Sequence, residues 1–335
     1  MNNYFFLTKE EQLQVLQAAE TQTGIPSQVI EKDLWVTTIL QIIFSLPFAD
    51  KLIFKGGTSL SKVWKLINRF SEDIDLSVDR SLFGLEGDLT KKQIKKLRKE
   101  SSTFIKETFY KELSETIYKF GIGHLCTIDC EPDGEGDSTY PEPRKIWIKY
   151  DSACKEELNY LKPVVLLEIG ARSLLEPYEN NVITSIVEEL FPKIKTSLVN
   201  NHIPTAIAKK TFIEKIFLLH ELFSIEGSGK KANRKSRHLY DIYMMKDKDF
   251  AIEALDDDEL WENIRHHREI FTSVKGVDYS PGIRKRITII PREDIKHAWE
   301  KDFSEMLENM IYGNNKPNFN EITKQLKKLQ DKLRK

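Results

Sequence analysis

The chain has 335 residues, of which 40% are hydrophobic and 31% are charged, and this balance is typical of a globular protein of about two domains. Its net charge of -1 excludes a uniformly basic nucleic-acid coat, so a polyanion site has to come from local clusters of lysine and arginine. Its three cysteines, an odd and small number, argue against a disulfide scaffold and favour a reducing cytoplasm.

The N-terminal segment is predicted to form two helices. Residues 7–20 form the first, in which Thr8 and Glu11 have the spacing of a capping box. The second helix starts at Pro26-Ser27 and ends near residue 46, because Pro47 cannot continue it.

No membrane segment is expected. Residues 1–10 lack the basic and apolar regions of a signal peptide. The most apolar helix candidate, residues 34–49, is shorter than the ~20 residues of a membrane span and contains polar residues. We therefore expect a soluble cytoplasmic protein with no membrane partner.

The stretch FKGGTSLSKVWKLINRFSEDIDLSV (54–78) combines glycines with closely spaced acids. Residues 51–54 are a short apolar run and predict a buried strand that ends at Gly56-Gly57. Residues 58–68 predict a helix with one apolar side. Residues 73–78 alternate between polar and apolar and predict a second strand.

Further strands and helices follow in the first 200 residues. Residues 89–119 are polar and helical in pattern, and two strands are predicted at 122–131 and 144–151. The β-branched, apolar centre of residues 162–173 predicts a central strand, which carries Glu168.

The pattern becomes helical from about residue 204. Residues 207–223 predict an amphipathic helix, residues 237–246 predict another helix, and residues 321–335 predict a charged surface helix. The predicted fold is α+β: a mixed β-sheet with flanking helices over residues 1–200, followed by a mostly helical domain over residues 201–335.

The glycine pair predicts a phosphate-binding turn. Gly56 and Gly57 allow the backbone to turn sharply and approach another group, and the helix that follows at Thr58 directs its N–H groups toward the turn. A plain tight turn is the alternative for a glycine pair alone.

Three carboxylates predict a metal site. Asp73 and Asp75 point to the same face of a strand, where they repel each other unless a divalent cation is shared between them. Glu168 completes an acidic triad if its strand lies beside residues 73–78. The alternatives are ordinary surface acids, and for Glu168 an ion pair with Arg172.

This combination of glycine pair, helix, paired aspartates and later carboxylate resembles the DNA polymerase β-like nucleotidyltransferase superfamily, although 15 residues separate Gly57 from Asp73, somewhat more than is common. Together with EKDLWV (31–36), FIEKIFLLHELF and RHLYDIYMM, the stretch 54–78 resembles the AbiEii/AbiGii toxins over about residues 5–250. These are nucleotidyltransferase toxins of type IV toxin–antitoxin and phage-defence systems.

The resemblance implies a nucleotide site and a metal site. The phosphates would lie against the glycine turn, next to two flanking residues, and Mg²⁺ or Mn²⁺ would bind the carboxylates. The residues implied for the nucleotide are Gly56, Gly57, Thr58, Arg69 and Ser71, and those implied for the metal are Asp73, Asp75 and, by a looser match, Glu168.

The resemblance also implies two site residues in the helical half. Lys215 would neutralise the triphosphate, and Asp241 would either hold Lys215 or assist deprotonation of the acceptor hydroxyl. On the residues alone, Lys215 is either a lysine that reaches to solvent along an apolar helix face or a cation directed at an anion, and Asp241 is either a helix-surface residue or a site residue.

Basic clusters suggest a nucleic-acid contact. Lys230, Lys231, Arg234 and Lys235 belong to the densest basic run and immediately precede the predicted helix with Asp241, so they are candidates for guiding RNA phosphates. A solvated loop is the alternative. The run at 91–99 is either a solvated helix face or a second RNA contact.

We therefore expect a metal-dependent enzyme that transfers a nucleoside monophosphate from an NTP to RNA, with the 3′ end of tRNA as the acceptor, and thereby blocks translation. The resemblance implies an AbiEi-type antitoxin encoded nearby. Two alternatives are a nucleotidyltransferase with a protein acceptor and a nucleotide-binding module that sequesters a partner without turnover.

Overall fold

The computed structural model describes residues 2–69, 73–134, 140–155, 161–196, 202–225, 232–312 and 316–335. The chain divides into two compact units, of which the first holds residues 1–63 and 71–205 and the second holds residues 64–70 and 206–335. The division into domains at residue 200 stays a prediction.

The first unit is built on a mixed β-sheet. Seven strands follow the order β4-β5-β6-β3-β2-β9-β7, and β1 pairs separately with β8. The strands are β1 (Asn2–Asn3), β2 (Leu52–Lys55), β3 (Asp73–Val78), β4 (Cys126–Cys130), β5 (Arg144–Tyr150), β6 (Val164–Gly170), β7 (Tyr178–Asn181), β8 (Ile194–Lys195) and β9 (Ile203–Ala206).

Six helices accompany this sheet in the described part of the first unit. They are α1 (Lys9–Thr23), α2 (Ser27–Ile43), α3 (Gly56–Lys62), α4 (Lys91–Phe104), α5 (Tyr110–Lys119) and α6 (Ile186–Leu190). The predicted capping box at Thr8 and Glu11 is present. A π-helical turn at Ile105–Phe109 joins α4 to α5, so the predicted helical stretch 89–119 is nearly continuous.

The two faces of the sheet differ in burial. On β3, Ile74 and Leu76 are buried, whereas Asp73 and Asp75 are half-buried. The same alternation continues on β5 and β6, where every second residue packs into the core. Helix α2 packs against β6, so one face of the sheet carries the core and the other is available for charged side chains.

The boundaries of α3 differ from the prediction of a helix over residues 58–68. The helix begins at Gly56, so both glycines lie in its first turn, and it ends at Lys62. Beyond it, Lys65 has a positive φ of 51°, which is incompatible with a continuing α-helix. Trp64 instead donates its indole N–H to the carbonyl of Ala206 at 3.1 Å.

The second unit is helical in its described part. Its helices are α7 (Ala208–Ser224), α8 (Arg237–Met245), α9 (Asp249–Asp256), α10 (Asp258–Phe271), α11 (Glu293–Asn309) and α12 (Phe319–Leu333). Aromatic contacts join them: Phe223 on α7 lies 4.7 Å from Trp299 on α11, and Phe217 lies 5.4 Å from Trp261 on α10, measured between ring centroids.

The predicted α+β class is confirmed. The mixed sheet and the helical C-terminal region are both present, although the short strands β7, β8 and β9 had no clear signal in the sequence. Among the described residues, no helix combines the length and the apolar character needed to cross a bilayer.

Candidate active site

Three carboxylates share the half-buried face of the sheet in the first unit. Asp73 and Asp75 are two residues apart on β3, and Glu168 lies directly opposite Asp75 on the neighbouring parallel strand β6. Residues in register point to the same face and have Cβ atoms about 5 Å apart. The structure therefore brings the three predicted acids onto one small surface.

Each end of this acidic surface is next to a lysine. Lys145 on β5 lies opposite Glu168, and its Nζ is 3.4 Å from Glu168 Oε1. Lys55 on β2 lies opposite Asp75. The alternative ion pair between Glu168 and Arg172 is not formed, because the guanidinium of Arg172 binds Glu142 instead.

The donor set suits a hard divalent cation, since Mg²⁺ and Mn²⁺ prefer carboxylate oxygens. Within the described ranges, however, no three carboxylate, imidazole or thiol groups are already gathered closely enough to hold a metal ion. The assignment of metal to Asp73, Asp75 and Glu168 stays a prediction.

The glycine turn lies against the acidic surface. Gly56 has a φ of +81°, and a Cβ atom on it would be 2.0 Å from Asp75 Oδ2. Only a residue without a side chain leaves that carboxylate in place. Thr58, which is buried, donates its hydroxyl hydrogen to the carbonyl oxygen of Asp73, so the first turn of α3 is tied to the start of β3. Gly57 lies between them in the same turn.

The motif EKDLWV anchors this region from α2. Asp33 forms a salt bridge with Lys62 at the end of α3, with Nζ 2.6 Å from Oδ1. It also accepts a hydrogen bond from the N–H of Ile186 at 2.8 Å. Glu31 accepts hydrogen bonds from the Ser152 hydroxyl and the N–H of Ala153. The motif therefore fixes the helix that carries the glycine turn.

A second charged cluster is buried in the second unit. Arg69 binds Asp241 through two hydrogen bonds, with Nε 2.6 Å from Oδ1 and Nη2 2.8 Å from Oδ2. Lys215 on α7 also contacts Asp241, with Nζ 2.8 Å from Oδ2. Arg69 and Asp241 are 1% and 0% exposed, so this cluster is an ion network inside the unit.

Burial and charge act in opposite directions on these groups. Burial alone would raise the pKa of Asp241, but the adjacent Arg69 and Lys215 cations outweigh it and hold that pKa well below the ordinary value. Burial lowers the pKa of Lys215, and Asp241 opposes this effect. An ionised Asp241 with both oxygens engaged is suited to holding Lys215 and poorly suited to accepting a proton.

The placement of Lys215 and Arg69 refines their predicted roles. Lys215 does not extend to solvent, because its side chain is buried and bound to Asp241. Arg69, expected beside the nucleotide, is also buried against Asp241, and a contact of either residue with nucleotide stays a prediction. Ser71 lies outside the described residues.

Two residues in or near this cluster were missed by the sequence reasoning. His238 is three residues before Asp241 on α8, and its Nδ1 lies 3.3 Å from Lys215 Nζ. Burial lowers the pKa of His238 well below its ordinary value, and the Lys215 charge adds to the effect, so the ring is neutral. Its i, i+3 spacing from Asp241 was the available signal.

The second of these residues, Asp302, fixes the turn before α8. Its Oδ1 accepts from the N–H of Arg234 at 2.5 Å, and its Oδ2 accepts from the N–H and hydroxyl of Ser236. Of the predicted RNA-binding residues, Arg234 and Lys235 belong to this turn. Lys230 and Lys231 lie outside the described residues.

Helix α4 presents a row of lysines to solvent. Five lysines at i, i+1, i+4, i+5 and i+8 form one stripe about 12 Å long, since each helical residue advances the axis by 1.5 Å. All five are exposed, and Leu97 anchors the opposite side of the helix in the core. The stripe consists of Lys91, Lys92, Lys95, Lys96 and Lys99.

The sequence matches the family described as nucleotidyl transferase AbiEii toxin of type IV toxin–antitoxin systems over residues 38–325. No curated protein matches it. Among solved structures, the chain is similar to MenT4, a nucleotidyltransferase toxin from Mycobacterium tuberculosis H37Rv, with 14% identity, a TM-score of 0.45 and 98% of each chain covered. It is also similar to JHP933 from Helicobacter pylori, with 16% identity, a TM-score of 0.38 and 91% of this chain and 96% of that chain covered.

Proposed function

Because the chain belongs to the AbiEii family of nucleotidyl transferase toxins of type IV toxin–antitoxin systems, we propose that it transfers a nucleoside monophosphate from an NTP to RNA and releases pyrophosphate. The acceptor is the 3′ end of tRNA, and its modification blocks translation in the cytoplasm. An AbiEi-type antitoxin opposes this activity. One observation carries the proposal: Asp73, Asp75 and Glu168 share a sheet face, and a glycine turn lies against Asp75.

In this proposal the carboxylate face holds the metal. Asp73, Asp75 and Glu168 bind Mg²⁺ or Mn²⁺, which supplies charge neutralisation for phosphoryl transfer when it is bound. Gly56 supports the assignment, because the missing side chain leaves the Asp75 carboxylate room beside the turn. Gly57 and Thr58 continue the same turn and bring backbone to the phosphates.

Lys215 provides positive charge for the triphosphate, and Asp241 positions it. The network with Arg69 holds Asp241 ionised, so Lys215 has an anionic partner in the absence of nucleotide. When a nucleotide binds, its triphosphate is a second anionic partner for Lys215. We assign Asp241 the positioning role and not that of a general base, because its pKa is held well below the ordinary value by Arg69 and Lys215 despite burial.

We assign RNA as the acceptor because positive charge is concentrated locally on the protein. The lysine stripe of α4 is exposed along about two turns of the helix, although the whole chain has a net charge of -1. Regularly spaced cations of this kind suit a phosphate backbone and not a neutral peptide. Arg234 and Lys235, with Lys230 and Lys231 before them in the sequence, provide a separate basic segment for contact with RNA.

The experiment is incubation of the purified protein with each α-labelled NTP and total RNA, followed by separation of RNA from protein. We expect label on RNA of tRNA size when Mg²⁺ or Mn²⁺ is present. Label on protein supports a protein acceptor. Tight nucleotide binding with no transferred label supports a non-catalytic module that sequesters its partner.

A further inference from the structure

Four charged residues form a row across the half-buried face of the sheet. Lys145, Glu168, Asp75 and Lys55 are successive register partners on β5, β6, β3 and β2. Register partners point to the same face, so two adjacent carboxylates lie between two lysines. Adjacent carboxylates repel each other in the absence of a cation, and one of these lysines already contacts an acid.

The ion pair between Lys145 and Glu168 is of a kind in which either side chain can readily take another partner. Nζ and Oε1 are 3.4 Å apart, and the two side chains are 39% and 28% exposed. An ion pair with this exposure contributes little to stability, because water screens it and both side chains lose freedom. The buried pair of Arg69 and Asp241 differs, since neither side chain is more than 1% exposed.

We propose that Lys145 is the internal counter-ion of Glu168 and competes with the divalent cation for this carboxylate. The inference rests on the proposed function, in which Asp73, Asp75 and Glu168 bind the metal. In the metal-free protein Lys145 offsets the repulsion between Glu168 and Asp75. When the metal binds Glu168, the ion pair between Glu168 and Lys145 has to break. Lys145 therefore raises the metal concentration that is needed for Glu168 to act as the third ligand.

A further observation agrees with this competition. The N–H of Lys145 is bound by Glu131 Oε2 at 3.0 Å, so the backbone of this residue is fixed while its side chain is half-exposed. Release of Glu168 therefore needs only a side-chain movement.

The chain offers a matched control in Lys149. It lies four residues further along β5, on the same face, and pairs with Asp129 on the edge strand with Nζ 2.7 Å from Oδ2. Substitution of either lysine by glutamine changes the net charge equally. Of these two lysines, Lys145 pairs with Glu168, one of the three acids, whereas Lys149 pairs with Asp129.

The test is direct Mn²⁺ binding, measured from the electron paramagnetic resonance signal of free Mn²⁺ without nucleotide or RNA. We expect Lys145→Gln to bind Mn²⁺ about five-fold more tightly than wild type. This factor corresponds to the upper end of the free energy that a partly exposed ion pair contributes. Lys145→Arg, which keeps the charge, and Lys149→Gln should both bind like wild type. In the Glu168→Gln background the Lys145→Gln gain should disappear.

Three results overturn the inference. Equal affinity in wild type and in folded Lys145→Gln shows that the lysine does not compete. If Lys145→Gln still increases the Mn²⁺ affinity in the Glu168→Gln background, the increase comes from the loss of a nearby positive charge and not from competition for Glu168. If wild type itself binds no Mn²⁺, the proposed metal dependence fails and the competition fails with it, whereas either of the first two results leaves the metal site intact.

Discussion

Gly56 lies against the carboxylate of Asp75, so closely that a Cβ atom at position 56 would be 2.0 Å from Asp75 Oδ2 and 2.7 Å from its Cγ. The φ of Gly56, +81°, also belongs to the region that other residues rarely adopt. The glycine turn and the acidic strand are therefore in direct contact. The requirement for glycine comes from the carboxylate as well as from the turn.

Substitution of Gly56 by alanine should move the Asp75 carboxylate and reduce transfer by about 100-fold, since a misplacement of about 1 Å at a reacting group has this effect. Gly24→Ala is the control. Gly24 also has a positive φ, +69°, but no heavy atom lies within 4 Å of its added Cβ. Both variants should lose about 1–2 kcal/mol of stability from backbone strain. Equal transfer rates for the two variants would contradict this account.

Asp241→Asn should be strongly destabilising. It removes the anion from a buried network and leaves Arg69 and Lys215 without their partner, which costs about 3–5 kcal/mol in comparable buried pairs. Asp129→Asn, which breaks the exposed pair with Lys149, should cost less than about 1 kcal/mol. Urea denaturation of the two variants gives the comparison, and similar losses would argue against a buried network.

The same residue gives a prediction for pH. The pKa of Asp241 is lowered in the folded protein, because Arg69 and Lys215 outweigh the effect of burial. A group with a depressed pKa stabilises the fold above its unfolded pKa, about 3.9 for aspartate, and this contribution is lost as the pH falls toward the folded value. Wild type should therefore lose stability more steeply than Asp241→Asn below about pH 4. Parallel curves of unfolding free energy against pH would show that Asp241 is not the cause.

Lys215→Ala should weaken NTP binding and slow transfer, because a cation near the triphosphate offsets charge on the leaving pyrophosphate. Lys215→Arg should restore part of the activity, since the guanidinium keeps the charge but has a different shape. Nucleotide affinity and turnover are measured on variants that keep the wild-type circular dichroism spectrum. An alanine variant with normal affinity and turnover would leave Lys215 a purely structural partner of Asp241.

The α4 stripe is tested by salt dependence. Replacement of Lys91, Lys92, Lys95 and Lys96 by glutamine should slow transfer to RNA and flatten its dependence on salt by about one unit of slope for each phosphate that is no longer neutralised. The same replacement of four exposed lysines on α12 changes the net charge equally and should have little effect; these are Lys324, Lys327, Lys328 and Lys332. Equal slopes in both variants would exclude α4 as the RNA surface.

Local sequence patterns were sufficient for much of the fold. The alternation of polar and apolar residues in DIDLSV predicted β3, and the apolar run around Glu168 predicted β6. Both signals depend only on neighbouring residues of the sequence. The helix over 58–68 was predicted at the wrong limits. Its apolar residues have helical spacing, but the chain leaves the first unit after Val63 and the helix ends at Lys62.

Partners that are distant in the sequence were not predictable in this way. Lys145 pairs with Glu168 only because β5 and β6 are antiparallel in a particular register, whereas Arg172, which is close in sequence, binds Glu142. Arg69 and Asp241 are 172 residues apart, and nothing local indicates that they meet. The motif resemblance pointed to Arg69, Lys215 and Asp241 as functional and implied that Asp241 could hold Lys215, but it did not indicate that Arg69 pairs with Asp241.

The most direct test of the central claim compares wild type with Asp75→Asn, using purified tRNA and an NTP labelled at either the α- or the γ-phosphate. Asparagine keeps the shape of the side chain and removes the charge, so the fold should persist. We expect wild type to place the α-label, but no γ-label, on the tRNA 3′ end, and Asp75→Asn to place neither. Transfer of the γ-label, or α-labelling by Asp75→Asn at the wild-type rate, would contradict nucleotidyl transfer at this carboxylate face.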